Sequence, residues 1–307
     1  SAASDVYKRQ VNMVEKYKEK VEYMIKRREM SSKECYCEVN KGVPMIRFRC
    51  LDGYDFVSLA FSTRLGGVTD KDYLSSLNFG WDRGDKEENV RENYRRMCKA
   101  LGTDYKKLIL SDQVHGDKIE YVDERYAAGE KIEKKLKGVD GMVTDKKGLT
   151  LATSFADCVP LFFIDTVGKV IGSSHSGWRG TVARIGQKTI KKMAEQFGSR
   201  PEDIICIIGP SICRKCYEVS EDVAIEFIKE FGRNGIAENI VMRKPETEDK
   251  FLLNLWEANR VQLSDAGVPD KNIHISGICT CCNPDILYSH RASRGKRGNL
   301  NGFIRLT

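Results

Sequence analysis

A cysteine and a histidine stand at the two ends of a hairpin pattern running from Phe155 to Gly180, and another histidine, His115, closes an earlier strand pattern. One thiolate and two imidazoles form a ligand set for a metal ion. Three protein ligands with an open fourth position is what a catalytic zinc requires, and water there would ionise near pH 7. The hairpin is read from two β-rich runs, 160–164 and 169–174, with turn chemistry from Asp165 to Gly168 between them. A turn centred on Thr166 and Val167 predicts that Cys158 lies directly opposite His175. Paired residues hold their Cβ atoms about 4.5–5.5 Å apart, within reach of one ion. A slip of one residue would send the two side chains to opposite faces. Asp157, next to the cysteine, either orients or deprotonates the water or closes an Asx turn at the strand start.

The elements around this hairpin carry candidate anion ligands. Arg64 and Asn78 sit in a glycine-rich stretch, Ser-Thr-Arg-Leu-Gly-Gly and then Ser-Leu-Asn-Phe-Gly, whose backbone freedom suits a binding loop. A surface ion pair is the plainer role for Arg64. Helical spacing over 181–197 follows directly on Trp178-Arg179-Gly180. Its free N–H groups, set beside a guanidinium, would favour phosphate or another anion, although Trp178 also reads as core. Near the C-terminus Arg291, Arg294, Lys296 and Arg297 either bind phosphate or decorate a loop.

Composition narrows the class of protein. A chain of 307 residues with 41% hydrophobic content can build one large core or two. No run reaches the ~18 apolar residues of a membrane span, and no secretory signal opens the chain, so a cytoplasmic protein is expected. Eleven cysteines, an odd number in a long chain, read as reduced thiols. The net charge is +7, but residues 1–33 alone hold nine Lys or Arg against five Asp or Glu, leaving +3 for the rest. With no accompanying motif this is a solvated face rather than a nucleic-acid footprint. Neither nucleic acid nor membrane is an expected partner.

Residues 1–10 lack an initiator methionine and read as vector-derived or assembly read-through. Val14, Tyr17, Val21 and Met24 then mark an amphipathic helix within 11–34, packed on the domain or on a partner. Strand patterns follow at 45–50 and 56–61, a helix opened by Asp85 and Glu88 and ending near Gly102, and a strand from Leu108 toward Gln113-Val114-His115. Further along come a strand at 204–209, helices at 221–231 and 255–266, and a strand at 273–278. The expected fold is α+β, a single domain of mixed β-sheets flanked by helices with an N-terminal helical extension.

The ordered motifs Ser-Thr-Arg-x-Gly-Gly, Ser-Leu-Asn-x-Gly, Gln-Val-His, Ala-Asp-Cys-x-Pro, His-Ser-Gly-Trp-Arg-Gly, Gly-Pro-Ser-Ile with Tyr-Glu-Val, and a final Cys-Thr with Ser-x-Arg resemble the bacterial multicopper polyphenol oxidase (laccase-domain) family. That family is now read as zinc-dependent purine nucleoside phosphorylases, and some members are described as peptidoglycan-editing factors. The resemblance covers residues 42–307. It implies His115, Cys158 and His175 as zinc ligands and one α+β domain. It also implies cleavage of adenosine, inosine, guanosine and S-methyl-5'-thioadenosine with phosphate, with an adenosine deaminase side activity. Asp157, Arg64 and Arg179 become candidate catalytic groups, and Asn78, Gln113, Trp178, Arg291 and Arg297 candidate substrate or phosphate ligands. A monomer or weak homodimer is expected. Serine at position 176, where alanine is common, the extra cysteines and the helix before residue 34 depart from the pattern.

Two other chemistries use the same residues. A copper-dependent polyphenol oxidoreductase needs many imidazoles, and this chain has four histidines in all. A metal-free Cys-His hydrolase would use Cys158 as nucleophile, and its cysteine would alkylate in zinc-replete protein. Cys213, Cys216, Cys279, Cys281 and Cys282 have Cys-x-x-Cys and Cys-x-Cys-Cys spacings. Buried or incidental thiols are the expected reading, with one zinc per chain.

Overall fold

The structure is a computed structural model that describes residues 12, 13, 15–24, 34–232 and 235–307. Strands are numbered in chain order. Among the described residues they form three sheets. The first runs β1 (Cys35–Asn40), β2 (Val43–Phe48), β3 (Val57–Ser62), β16 (Leu300–Leu306), β8 (Thr150–Phe155), β4 (Leu108–Asp112), β6 (Leu136–Lys137). The second runs β15 (Ile273–Ile275), β11 (Ile204–Ile208), β9 (Val159–Asp165), β10 (Val170–Ser176), β7 (Gly141–Thr144), β5 (Ile119–Tyr121). A small third sheet joins β12 (Glu218–Ser220), β14 (Lys250–Leu253) and β13 (Val241–Arg243). Beyond residue 34 the described α-helices are α1 (Glu87–Leu101), α2 (Trp178–Val182), α3 (Ile185–Phe197), α4 (Glu221–Phe231), α5 (Ala237–Ile240) and α6 (Leu255–Asp265). Both sheet types mix parallel and antiparallel pairs, so the fold is the expected α+β.

Alternation along the strands divides the core. On β9, Phe162 and Ile164 face the first sheet and pack with Phe48, Leu59, Phe61, Leu151 and Ile304, while Leu161 and Phe163 face helices. Ile185, Ile190 and Met193 of α3, Phe227 of α4 and Leu255 of α6 cover that outer side. Across the molecule Tyr94 and Met97 of α1 cover Met45, Ala60, Leu110 and Phe303. The result is four layers, helix, sheet, sheet, helix, with β9 and β10 buried along their full length. Gly302 lets the sheets close, since a Cβ there would sit 2.3 Å from Cζ of Phe162.

Several boundaries differ from expectation. The hairpin loop has four residues, because Oδ1 of Asp165 accepts from the N–H groups of Val167 (2.9 Å) and Gly168 (2.7 Å) and Lys169 turns the chain at φ 54°. The register therefore moves by two residues. His175 faces Pro160, and Val159 is the partner of Ser176. A slip of two preserves the face, so Cys158 and His175 become diagonal neighbours on one side of the sheet. The strand expected to run to Ile278 ends at Ile275, and the one expected from Met45 to Cys50 gives way to a 3-10 turn at Arg49.

The helix expected over 181–197 starts a turn earlier and breaks in two. Arg184 takes φ 57° between α2 and α3, held by ion pairs to Glu230 and Asp265. Gln262 accepts from the N–H of Gly186 at 2.8 Å, so the first turn of α3 is occupied, and α2 spans only five residues. The helix start expected to bind an anion beside Arg179 is therefore that of a five-residue helix, with the Gly186 N–H of the next helix already taken. Asp85 does not cap α1, whose N-cap is Lys86. Instead its carboxylate accepts from Thr69 (2.7 Å), Asn78 (2.9 Å) and Asn89 (3.0 Å). The C-terminal stop at Gly102, φ 65°, is as expected.

Residues 15–24 are helical, and Val21 and Met24 are buried in the core between the sheets with Cys35 and Cys37. The helix packs on the domain. The rest of the helix expected over 11–34 and the segment 1–10 lie outside the described residues, residues 12 and 13 apart. No described helix is long and apolar enough to cross a membrane.

Candidate metal centre and its cationic cavity

Two loops and the end of a strand meet between the two large sheets. The chain leaving β4 carries His115, the residue before β9 is Cys158, and β10 carries His175 near its end. Their ligand atoms all lie within 4.8 Å of one another. The imidazoles of His115 and His175 meet edge to face at a centroid distance of 4.7 Å. Gly177 leaves the room this needs, for a Cβ there would fall 3.1 Å from His115 and 3.3 Å from the Cys158 sulfur.

Asp140, directly before β7, organises the cluster. Its Oδ1 accepts from the His115 N–H (3.1 Å) and from Nδ1 of His175 (2.8 Å), and its Oδ2 accepts from the N–H groups of Val114 (3.1 Å) and Gly116 (2.9 Å). These bonds hold His115 at its left-handed φ of 61° and point Nε2 of His175 toward the sulfur side. Burial pushes the Asp140 carboxyl up, but the His175 bond and charge and the Gly116 and Val114 N–H groups outweigh it, leaving its pKa below the ordinary value. Cys158 follows the same logic. Burial raises its thiol, yet the His175 charge and bonds from both histidines pull it down to about 6. His175 is lowered by burial and raised more by the Cys158 thiolate and Asp140, to about 9. A thiolate facing two imidazoles, one oriented by a carboxylate, fits a three-ligand metal site with an open position.

A cavity of about 150 Å³ opens beside the three ligands, lined among others by Gln113, Trp81, Arg83, Lys134 and Arg297. Burial and the neighbouring Arg83 charge pull the Arg297 pKa down to about 10, and its Nε is buried without a partner among the described residues. His290 is likewise lowered by burial and by Arg297, with Arg83 and Arg291 adding to the effect. Cations converging with an unused donor make a site for an anion.

Of the other residues singled out from sequence, only some line the cavity. Gln113 lines the cavity and pairs both ends of its amide with the Ser154 backbone at 2.8 Å, tying the His115 loop to β8. Asn78 is buried behind it, its Oδ1 accepting from Gly80 (2.8 Å) and Asn299 (3.0 Å). Asp157, at φ 84°, accepts from Thr280 Oγ1 (2.6 Å) and the Arg291 N–H (2.7 Å), while its carbonyl accepts from Ile212 (3.0 Å). It is a bracket joining three loops. Arg291 also donates to the Glu218 carbonyl at 2.8 Å and lies over Tyr217, whose hydroxyl pKa is raised by burial and by Cys158. Arg179 is exposed, with its guanidinium 4.2 Å from the ring centroid of the half-buried Trp178. Arg64 does not line the cavity. It donates to the carbonyls of Ser75 (2.8 Å) and Pro284 (2.7 Å) and stacks on Tyr288.

Sequence reasoning passed over Asp140, Arg83, Lys134 and Tyr217. Only Asp140 carried a usable signal, an Asp-Gly pair at a strand start. Four of the five cysteines with close spacings are brought together. Cys213, Cys216, Cys279 and Cys282 bring their sulfurs within 4.8 Å of one another, a clustering across 66 residues that the sequence spacings did not show.

A sequence profile of the family described as Multi-copper polyphenol oxidoreductase laccase matches residues 58–307. The chain belongs to this family. A relative from Bacillus subtilis named purine nucleoside phosphorylase YlmD is 36% identical over 255 residues, 81% of this chain and 88% of its own. An adenosine deaminase from an unknown prokaryotic organism is 36% identical over 235 residues, 76% of this chain and 87% of its own. Among solved structures, YlmD from Geobacillus stearothermophilus superposes with a TM-score of 0.81 at 30% identity, covering 88% of this chain and 98% of that one. The laccase-domain profile thus spans every residue of the three-ligand cluster and of the cavity wall.

Proposed function

We propose that the chain is a zinc-dependent purine nucleoside phosphorylase that cleaves adenosine, inosine, guanosine and S-methyl-5'-thioadenosine, with adenosine deaminase as a side activity. The observation that carries this reading is the His115, Cys158 and His175 cluster opening onto a cavity whose cations, Arg83, Lys134 and Arg297, suit phosphate. The names of relatives at 36% identity agree with it. The reading includes a cytoplasmic monomer or weak homodimer.

In phosphorolysis a phosphate oxygen bonds to the anomeric carbon as the carbon–nitrogen bond breaks, and the purine leaves with the electron pair and takes up a proton. Arg297 and Arg83 would hold the phosphate, with Arg297 Nε as the free donor. Arg179 and Arg291 flank Tyr217 on the sulfur side and would bind substrate charge there, with Trp178 as the platform under Arg179. In this reading Arg64 and Asn78 position loops, Gln113 fixes the His115 loop, and Asp157 holds Cys158 and Arg291 in place. His115, Cys158 and His175 would hold the zinc, which when bound would supply Lewis acidity for the deaminase side activity.

Four histidines, two of them elsewhere on β15 and in the 290 loop, leave a multicopper cluster without ligands. Metal content and inosine cleavage, with and without phosphate, test the proposal on wild type, His175→Ala and Arg297→Ala. His175→Ala should lose this zinc and the activity. Arg297→Ala should keep the zinc and lose phosphorolysis by about 10²-fold. Retained zinc at this site in the first, or undiminished phosphorolysis in the second, would overturn it.

A further inference from the structure

The loop after β11 and the loop after β15 each carry a Cys-x-x-Cys pair, Cys213 to Cys216 and Cys279 to Cys282. β11 and β15 are parallel neighbours, and the pairing continues past their ends through an isolated bridge between Ser211 and Cys279. The two pairs are thereby brought face to face. All four sulfurs lie within 4.8 Å of one another, and those of Cys216 and Cys282 are 3.4 Å apart. A tetrahedral ion with zinc–sulfur bonds of about 2.3 Å sets its thiolates about 3.8 Å apart, so the cluster has the size of a mononuclear site. A multi-iron cluster spreads its cysteines over several metals and needs a wider cage.

The backbone is arranged for thiolates as well. The Cys213 N–H donates to the Cys279 sulfur at 3.3 Å, and the Cys282 N–H donates to the same sulfur at 3.4 Å. A 3-10 turn at Arg214–Cys216 folds the first pair, with the Cys216 N–H on the Cys213 carbonyl at 3.1 Å. Cys281, though adjacent, stays outside the four-sulfur group, as the x-x spacing requires.

We propose that Cys213, Cys216, Cys279 and Cys282 hold a structural zinc ion in a tetrathiolate site, separate from the His115, Cys158 and His175 cluster. The ion ties two loops that both bond to Asp157, the neighbour of Cys158, one through the Ile212 N–H and the other through Thr280. Thr280, inside the second pair, donates to Asp157, and the chain runs on from Cys282 to Arg291 and Arg297. A fixed knot at this point holds the cation-bearing segment in register with Cys158.

The test uses the full chain, expressed with zinc and purified without chelator, as wild type, His175→Ala, Cys282→Ser and Cys213→Ser. His175→Ala should keep about one zinc per chain, and each cysteine variant should hold about one fewer than wild type. Cobalt loaded into His175→Ala should give the ligand-field and sulfur charge-transfer bands of four thiolates. Iodoacetamide should spare the exposed Cys282 of zinc-loaded His175→Ala and label it within minutes once a chelator is added. These two readouts hold even if a cysteine variant does not fold. A His175→Ala chain without zinc whose Cys282 alkylates at once would overturn the proposal. So would disulfides between the pairs in freshly lysed cells, or iron in place of zinc at the site.

Discussion

Asp140→Asn is the substitution that most sharply probes how the metal centre is held. The carboxylate serves two donors on each oxygen, the His115 N–H and His175 Nδ1 on one and the Val114 and Gly116 N–H groups on the other. An amide keeps the shape but replaces one acceptor with a donor, so both N–H bonds are lost if the nitrogen faces Val114 and Gly116, and the His115 bond is lost while the His175 bond reverses if it faces the histidines. At about 1.5 kcal/mol for each bond to a charged acceptor, the cost is at most about 3 kcal/mol. For a chain of this length that lowers Tm by at most roughly 6 °C. If the amide nitrogen faces His175, the imidazole must accept at Nδ1, which protonates the Nε2 needed for the metal. Loss of such an orienting carboxylate weakens metal affinity by about 10–100-fold. The assay is competition for zinc against a chromophoric chelator, alongside thermal unfolding of the metal-free protein. Because the Asp140 pKa is lowered on folding, its contribution is complete above the ordinary carboxylate range and fades as pH falls through the depressed value. The stability gap between wild type and variant should thus shrink in acid as Asp140 protonates, and shrink again as pH rises through about 9, where His175 loses the proton that Asp140 helps it hold. An Asn variant with wild-type zinc affinity and Tm would refute the reasoning.

Arg297→Lys should raise the phosphate KM by about 10-fold or more while leaving zinc content unchanged, since a lysine keeps charge but not the Nε donor; steady-state kinetics at varied phosphate checks this, and an unchanged KM counts against the cavity as the phosphate site. In metal-free protein Cys158 should alkylate at a rate that climbs through pH 6 and levels above pH 7, because its thiol is pulled to about 6, whereas buried Cys98, pushed up to about 12, should not react. A Cys158 rate still climbing between pH 7 and 9 would contradict the lowered thiol. Deleting residues 1–33 uncovers the sites of Val21 and Met24, both fully buried, and should lower stability by about 3–6 kcal/mol at most. Nucleoside cleavage by the folded remainder should stay within a few-fold of the full chain, and its complete loss would show that the helix completes the site.

Local signals were legible where local physics decides. Gly102 ends α1 at φ 65°, and Asn254 caps α6 by accepting from the Glu257 N–H. The hairpin was legible in its face but not its register, because Asp165 uses its side chain to build a four-residue loop that looks in sequence like a two-residue turn. The break between α2 and α3 was not legible. Arg184 takes its left-handed φ under ion pairs with residues 46 and 81 positions away, a tertiary override of an intact helical pattern.

The site divides along the same line. Cys158 and His175 share a hairpin, so their meeting follows from strand period alone. His115 and Asp140 join them only because β5 pairs with β7 and β7 with β10, pairings among short strands that composition does not specify. The tetrathiolate cluster is the extreme case. Each Cys-x-x-Cys pair can be read from sequence, but the two are 66 residues apart, and what brings Cys213 to Cys279 is the parallel pairing of Cys206 with Ile273 on β11 and β15. After that pair the first chain reaches Cys213 in seven residues and the second reaches Cys279 in six, so overhangs of nearly the same length from parallel neighbours place four sulfurs together. Lengthening the longer overhang by a residue, with a glycine inserted between Ile212 and Cys213, keeps the Ile212 bond to Asp157 and should therefore abolish the zinc of this site and leave the His115, Cys158 and His175 zinc in place; an insertion variant that retains both zincs would mean the strand register does not set the cluster.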